Sequence, residues 1–177
     1  SSKQMEEILQ QLNGPTPQSE IHVTEGYRFF RRYDAFFFAK PNEEVQPIKE
    51  HQLQIPGTTH IEELGLEIFA DVSPVNVLPI DRQDNQIGTF DADKITEPLI
   101  VRTRLDGDTI VPLGMQGRKK IKKILQEHQV LQEQRDRVPI VCMGNEIVWV
   151  GGYCVSEKFR VTHETEKALQ LRIDEKK

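Results

Sequence analysis

Residues 138–155 read "VPIVCMGNEIVWVGGYCV", which is two apolar runs separated by Gly144-Asn145. Short runs rich in Val and Ile are typical of β-strands, and a two-residue Gly-Asn loop suits a type II′ hairpin turn. The stretch therefore predicts an antiparallel hairpin. It would place Cys142 and Cys154, the two cysteines of the chain, on neighbouring strands but not opposite each other. We expect two buried, reduced thiols and no zinc site.

The chain on either side of this hairpin repeats the two-residue period of β-structure. The alternation is found in residues 20–40, 51–55, 64–72 and 99–105, and candidate final strands lie at 159–161 and 169–173. Turn signals separate these pieces, among them Glu25-Gly26, Pro56-Gly57 and Asp106-Gly107. Together they predict an α+β fold made mostly of antiparallel β subdomains, with a basic amphipathic helix and a further helix at the N-terminus.

Two segments carry the apolar spacing of a helix. Residues 1–15 place Met5, Ile8, Leu9 and Leu12 on one stripe and end at Gly14-Pro15. We interpret them as the tail of a helical region or as a lid. Residues 114–130, "GMQGRKKIKKILQEHQV", place Ile121, Ile124, Leu125 and His128 on one side, with His128 expected at the edge of the core.

Charge divides the chain more sharply than its net value of −5 suggests. Residues 41–97 hold three Lys/Arg and twelve Asp/Glu, whereas residues 98–137 hold nine and five. We therefore predict a helix at 1–15, an acidic β-rich subdomain at 20–97 and a basic α/β subdomain at 98–177. The chain has no apolar run long enough to span a bilayer, no signal peptide pattern and no initial Met, so we expect a cytoplasmic piece of a longer protein.

The basic residues gather in three places. Arg118, Lys119, Lys120, Lys122 and Lys123 fall at the predicted start of the second helix. Cations are unfavourable there because the helix dipole is positive at that end, so we expect a polyanionic partner, with nucleic acid first and a phosphorylated ligand second. A solvated lysine face is the simpler alternative. The other basic residues are Arg102 and Arg104 on one strand face, Arg135 and Arg137 around Asp136, and Arg28, Arg31 and Arg32 among aromatic residues.

Catalytic motifs are missing from the sequence. Asp91 and Asp93 in "FDADK" suit local capping better than metal binding or acid–base chemistry, and Trp149 suits packing. Two other classes of protein remain open. One is a protein-interaction or dimerisation β module whose basic helix docks on an acidic partner, and the other is a small independent enzyme that uses Asp91, Asp93 or a histidine.

The order "FDADKI…PLIVRTRLDGDTIVPLGMQGRKKIKKILQEHQV…QRDRVPIV…EIVWVGG" resembles the C-terminal region of bacterial tRNA(Ile)-lysidine synthetases. The matching elements are the Arg-x-Arg strand and Gly-Asp turn, the Pro-x-Gly, the Gly-x-Lys-Lys-hydrophobic-Lys-Lys helix, and an Arg-Asp before a strand that ends in Trp. The resemblance covers residues 90–173 well and residues 1–40 more loosely, through "RRYDAFFF". Leu131 and Gly151-Gly152 depart from the family pattern at turn positions.

The resemblance implies an enzyme that uses ATP and Mg²⁺ to join lysine to C2 of the wobble cytidine of isoleucine tRNA with a CAU anticodon. The catalytic loop of that family belongs to an N-terminal domain and is absent here, so the resemblance implies no catalytic residue, cofactor or metal in this chain. The implied partners are tRNA, gripped near its acceptor stem, the N-terminal catalytic domain and a possible second copy, and no membrane. The expected tRNA-binding residues are Arg32, Arg102, Arg104, Arg118, Lys119, Lys120, Lys122, Lys123, Arg135 and Arg137.

Overall fold

A computed structural model of the chain describes residues 2–13, 18–22, 28–32, 35–39, 48–77 and 84–175. The chain divides into two compact units, Ser1–Val45 and Gln46–Lys177. This division differs from the predicted segments 1–15, 20–97 and 98–177. The reason is that strands from both sides of residue 97 pair within the same sheets of the second unit.

The first unit is a helix followed by a three-stranded antiparallel sheet in the order β1-β2-β3. Its elements are α1 (Ser2–Asn13), β1 (Gln18–His22), β2 (Arg28–Arg32) and β3 (Ala35–Ala39). The predicted N-terminal helix and the change to β-structure after it are both confirmed. The turn predicted at Glu25-Gly26 lies outside the described residues.

The second unit contains a five-stranded sheet in the order β13-β12-β11-β8-β4, a four-stranded sheet in the order β5-β6-β14-β7, and the short pair β10-β9. Its strands are β4 (His51–Gln52), β5 (Gly57–Ile61), β6 (Leu66–Pro74), β7 (Ile87–Asp91), β8 (Leu99–Arg102), β9 (Thr109–Ile110), β10 (Lys119–Lys120), β11 (Ile140–Met143), β12 (Glu146–Val150), β13 (Cys154–Val155) and β14 (Lys167–Glu175). Its α-helices are α2 (Ile121–Glu127) and α3 (Gln132–Arg135). The pairings in these sheets are antiparallel, so the predicted α+β class with mostly antiparallel strands is confirmed.

The predicted hairpin is present as β11 and β12. Met143 pairs with Glu146, so Gly144-Asn145 forms the two-residue loop, and Gly144 has the positive φ of +53° that such a turn requires. The expected position of the cysteines was wrong in one respect. Cys142 lies on β11 and Cys154 on β13, so β12 separates them, and both are free thiols.

A β-bulge explains why the hairpin sequence is apolar without a clean alternation. Val141 faces Trp149 and the next residue, Cys142, faces Ile147, so Val148 is the extra residue on β12. Val148 and Trp149 consequently both enter the core between the two large sheets, where Trp149 is 1% exposed and contacts Phe90 edge to face. The packing role predicted for Trp149 is confirmed.

The opposite face of the five-stranded sheet packs against α2. Ile140, Cys142, Ile147 and Val150 form a second core there with Ile121, Ile124, Leu125 and their neighbours. Strands β11 and β12 are thus buried on both faces, which matches the nearly continuous apolar runs of residues 140–150. His128 differs from the prediction, since it is exposed beyond the end of α2 and contacts the edge of Tyr153.

The terminal strands were predicted correctly in one case and wrongly in the other. Residues 169–173 lie within β14, the central strand that joins β6 to β7. The other predicted strand, at residues 159–161, is absent. Glu157–Phe159 form a 3₁₀ turn there, and residues 160–161 continue as loop. Phe159 is fully buried in the core, so this apolar side chain anchors the turn and does not belong to a strand.

Asp91 acts as a cap. Its carboxylate accepts hydrogen bonds from the backbone N–H of Asp93 at 3.1 Å and from Oγ1 of Thr165 at 2.9 Å. The described residues contain no group of three or more His, Cys, Asp or Glu side chains placed to hold a metal ion. Among the same residues no helix is long and apolar enough to cross a membrane.

The two thiols should react slowly with alkylating reagents in the folded chain. Burial raises the pKa of Cys142 and of Cys154 to about 11, so at pH 8 the reactive thiolate form is scarce. We expect iodoacetamide to modify the native chain about a hundredfold more slowly than the urea-unfolded chain at pH 8. Mass spectrometry of timed samples measures this, and equal rates in the two states would contradict the burial of Cys142 and the partial burial of Cys154.

Candidate nucleic-acid interface

Residues 118–123, called the basic segment here, are a strand followed by a helix start. The sequence predicted that all five of its cations lie in the first turns of one helix, and this was wrong. Lys119 and Lys120 form β10, which pairs with Ile110 and Thr109, and α2 begins only at Ile121. Therefore only Lys122 and Lys123 lie in the first turn of the helix, where the positive end of the helix dipole is unfavourable for cations.

The connection before α2 explains the late helix start. The backbone N–H of Ile121 donates to the carbonyl oxygen of Asp108 at 3.0 Å, which continues the pairing of β10 with β9. Ile121 is fully buried, so the chain turns at this residue from the strand into the helix. The helix is seven residues long and ends at Glu127, and beyond it Gln129 has a positive φ of +57°.

Three cations of the basic segment project into solvent and are called the open lysines here: Lys120, Lys122 and Lys123. They are exposed because Ile121, Ile124 and Leu125 take the buried side of α2. Within the part of the chain that the structure describes, no hydrogen bond or ion pair holds their ammonium groups. Their charge is available to a ligand.

The other two cations of the basic segment contact neighbouring side chains. Lys119 forms a short ion pair with Glu127 at the end of α2, and this hydrogen bond lowers the pKa of the Glu127 carboxyl group. Arg118 is exposed and donates to Oγ1 of Thr109 at 3.3 Å. Lys119 thus fastens the strand to the far end of the helix, whereas Arg118 is held only weakly.

Arg102 braces the turn that follows β8. Its guanidinium donates to both carboxylate oxygens of Asp108, at 2.7 and 3.0 Å, and to the carbonyl oxygen of Thr103 at 2.9 Å. Burial opposes the charged form, but the hydrogen bond with Asp108 raises the pKa of Arg102 above its usual value. The same carboxylate accepts from the backbone N–H of Leu105 at 2.8 Å. Arg102 is 15% exposed, and its donors are largely engaged within the protein.

Arg104 connects this turn to the region after α3. It donates to Asp136 at 2.7 Å and lies 3.4 Å from Asp106, and its side chain is 18% exposed. Its Nε atom is buried and has no hydrogen-bond partner in the described residues. The prediction of one strand face carrying both Arg102 and Arg104 was wrong, because β8 ends at Arg102 and Arg104 lies in the loop after it. Each arginine contacts an aspartate.

Arg135 and Arg137 have different surroundings. Nε of Arg135 donates to the carbonyl oxygen of Val130 at 2.9 Å, which ties α3 to the end of α2. Asp136, which lies between these two arginines in the sequence, pairs with Arg104. Arg137 is exposed, with no ion pair from its side chain in the described ranges. Arg32 ends β2 opposite Gln18 and Ala35, and its side chain lies outside the described residues.

The sequence analysis missed the acidic partners of these cations. Asp108, Asp136 and Glu127 each neutralise one predicted binding residue. The Arg102-to-Asp108 spacing around a Gly turn was a usable signal for the first. The other two pairs join separate elements, and no local pattern marks them.

A comparison with protein-family models matches residues 99–173 to the "TilS substrate C-terminal domain". Among curated proteins, a tRNA(Ile)-lysidine synthase of Caldanaerobacter subterraneus subsp. tengcongensis is 36% identical over 94% of this chain. One from Symbiobacterium thermophilum is 32% identical over 92% of it. The chain spans about a third of each relative's length, 35% in both cases.

Solved structures include a similar fold. A crystal structure described as the TILS C-terminal domain superposes with a TM-score of 0.63 at 27% identity. The match covers 73% of this chain and 99% of that one. The resemblance noted from the sequence motifs is confirmed by these comparisons.

The brace between Arg102 and Asp108 yields a stability prediction. We expect Arg102→Ala to lower the free energy of unfolding by about 2 kcal/mol, because it leaves a largely buried carboxylate with fewer partners. Urea denaturation followed by circular dichroism measures this loss. Arg118→Ala, at an exposed cation with one weak bond, is the matched control and should change the value by less than about 0.5 kcal/mol. Equal effects of the two substitutions would show that Arg102 is not a structural brace.

Proposed function

We propose that this chain, whose residues 99–173 match the TilS substrate C-terminal domain, is the tRNA-recognition part of a tRNA(Ile)-lysidine synthase. In this proposal the ligation of lysine belongs to another part of the enzyme, which uses ATP and Mg²⁺. This chain contributes binding and not chemistry. The proposed ligand is isoleucine tRNA with a CAU anticodon, gripped at its body or acceptor stem.

The observation that carries the proposal is the pair of open lysines at the start of α2. Lys122 and Lys123 occupy a position where cations destabilise a helix, and the first turn contains no acidic residue to offset them. Phosphate groups would compensate this charge. The major groove of A-form RNA is too deep and narrow for side chains, so a protein gains affinity by contacting the phosphate ridges and 2′-hydroxyls.

The ten predicted binding residues divide into two roles under this proposal. Direct phosphate contacts are assigned to the exposed cations Arg118, Lys120, Lys122, Lys123 and Arg137. Positioning is assigned to the cations already engaged in the protein, Arg102, Arg104, Lys119 and Arg135. Arg32 remains a proposed contact on β2 of the first unit.

The proposal also includes a cytoplasmic location, docking on the catalytic domain of the same protein and a possible homodimer. The acidic stretch of residues 41–97 fits this scheme, because its charge would repel RNA and so restrict docking to the basic side.

A protein-interaction module is the second candidate function. The observation that favours it is a set of exposed apolar side chains near the basic segment: Leu105 at 57%, Leu113 at 55% and Met115 at 47%. Exposed apolar residues next to cations also occur where a protein docks on an acidic partner surface. Sedimentation velocity over a range of concentrations tests for self-association, and a dimer indifferent to tRNA would favour this candidate.

Reversing the two helix lysines should weaken tRNA binding. We expect Lys122→Glu with Lys123→Glu to lower the affinity for tRNA at least about tenfold, because two attractive phosphate contacts become repulsive. For the unchanged chain, log Kd should rise with log salt concentration with a slope of roughly 3 to 4 if four or five phosphates are contacted. Fluorescence anisotropy with labelled tRNA at several salt concentrations gives both quantities.

Lys49→Glu with Lys167→Glu provides a control with the same change in net charge. Both residues are exposed and lie outside the basic segment, before β4 and at the start of β14. The control should keep most of the affinity. If the two double variants lose affinity equally, net charge and not the position of α2 determines binding, and the proposed interface is wrong.

A further inference from the structure

Two clefts open on the second unit on either side of Tyr153. The first has a volume of about 330 Å³, and its lining includes Trp149, Tyr153 and Arg160. The second has a volume of about 500 Å³, and Tyr153 lines it too, together with Gln134 and Arg137. Tyr153 is common to both linings, and the two clefts together are called the Tyr153 groove here.

Tyr153 is held firmly while part of its surface stays open. The residue is half-buried and packs against the core beneath α2. Its ring contacts His128 at 5.5 Å between centroids and at 64°, and its backbone N–H donates to the carbonyl oxygen of Val150 at 2.9 Å. A ring fixed in this way offers a flat apolar face at little entropic cost, as stacking platforms for bases do.

The backbone beside Tyr153 keeps the groove open. Gly151 lines the second cleft and Gly152 the first. A Cβ on Gly151 would lie 2.7 Å from Cδ1 of Ile173 and 2.8 Å from Cγ of Pro139. Gly152 has a positive φ of +80°, which a larger residue adopts with strain.

Each cleft has a cation in its lining. Arg137 borders the second cleft and Arg160 the first, and both are exposed. Lys119 of the basic segment lies close enough to the first cleft that its charge partly opposes the rise in the pKa of Cys154 caused by burial.

The acidic residues of the groove are mostly engaged. Asp84 accepts a hydrogen bond from the backbone N–H of Gln86 at 2.8 Å. Glu157, next to the first cleft, pairs with Arg160 at 3.2 Å and accepts from the backbone N–H of Gly114 at 2.7 Å. Glu175 at the end of β14 is exposed and lines the second cleft together with Arg137. Each cleft therefore has Tyr153 and one arginine in its lining.

We propose that the Tyr153 groove binds an unpaired segment of RNA, with a base stacked on Tyr153 and phosphates near Arg137 and Arg160. This rests on the proposed function and adds a single-stranded part of the same RNA to the phosphate contacts of the basic segment. The faces of paired bases are covered by their neighbours in a duplex, whereas an unpaired base can stack on an aromatic side chain. The groove therefore selects unpaired RNA.

The test measures binding of the 177-residue chain to a short single-stranded RNA and to a blunt-ended duplex, both labelled for anisotropy. Tyr153→Ala should weaken binding of the single strand about tenfold and leave the duplex almost unaffected, because only the single strand loses a stacking contact. Tyr153→Phe keeps the ring and should retain the affinity of the unchanged chain. Lys122→Glu with Lys123→Glu should instead weaken both RNAs.

A second variant keeps the test decisive if Tyr153→Ala does not fold. Arg160→Glu alters an exposed residue in the lining of the first cleft and should weaken the single strand severalfold more than the duplex. The fluorescence of Trp149, the one tryptophan of the chain, gives an independent readout because this residue lines the first cleft. Its emission should change on addition of the single strand and not of the duplex.

The results separate this inference from the proposed function. If tRNA binds and depends on the open lysines but single-stranded RNA binds equally to the unchanged chain, Tyr153→Ala and Arg160→Glu, the groove is not an RNA site. If single-stranded RNA competes with tRNA and is weakened by Tyr153→Ala but not Tyr153→Phe, the groove is the site. If neither tRNA nor single-stranded RNA binds at low salt, the proposed function itself fails.

Discussion

Strands β11 and β12 are buried on both faces, and the rest of the second unit depends on this double burial. One face packs on the four-stranded sheet around Trp149 and Phe90, and the other packs on α2. Burial of each large apolar side chain stabilises the fold by roughly 2 kcal/mol, so a hairpin with two buried faces acts as the common support of both cores. The bulge at Val148 makes this possible, because it allows the consecutive residues Val148 and Trp149 to pack in the same core while the hairpin pairing continues.

This support determines which cations can meet a ligand. Because α2 must place Ile121, Ile124 and Leu125 on the sheet, Lys122 and Lys123 are left on the solvent side. Arg102 and Arg104, at and after the end of β8, are partly buried, and a guanidinium removed from water needs a carboxylate partner. Asp108 and Asp136 supply these partners. Burial thus separates the positive charges into a group that holds the structure and a group that remains open.

The same support also brings together the residues of the Tyr153 groove. Residue 153 follows the end of β12, Arg137 follows α3, and Arg160 follows the 3₁₀ turn anchored by Phe159. Two of these positions are tied directly to the hairpin, because residue 153 continues from β12 and Arg137 precedes β11. In the proposed tRNA-binding role, the groove and the open lysines would then contact different features of one RNA, unpaired bases in one case and the phosphate backbone in the other.

The sequence by itself determined the features that depend on neighbouring residues. Turn chemistry at Gly144-Asn145, the two-residue period of the strands and the apolar side of α2 were predictable because each arises within a few positions. The strand before α2 was missed, since Lys119 and Lys120 carry no apolar alternation that marks a strand, and they form one only by pairing with β9. Only the tertiary structure decided which cations are neutralised, because Arg104 and Asp136 are 32 positions apart and meet only when their elements pack. For the same reason β14 could be predicted as a strand but not as the centre of a sheet, since strand order depends on long-range pairing with β6 and β7.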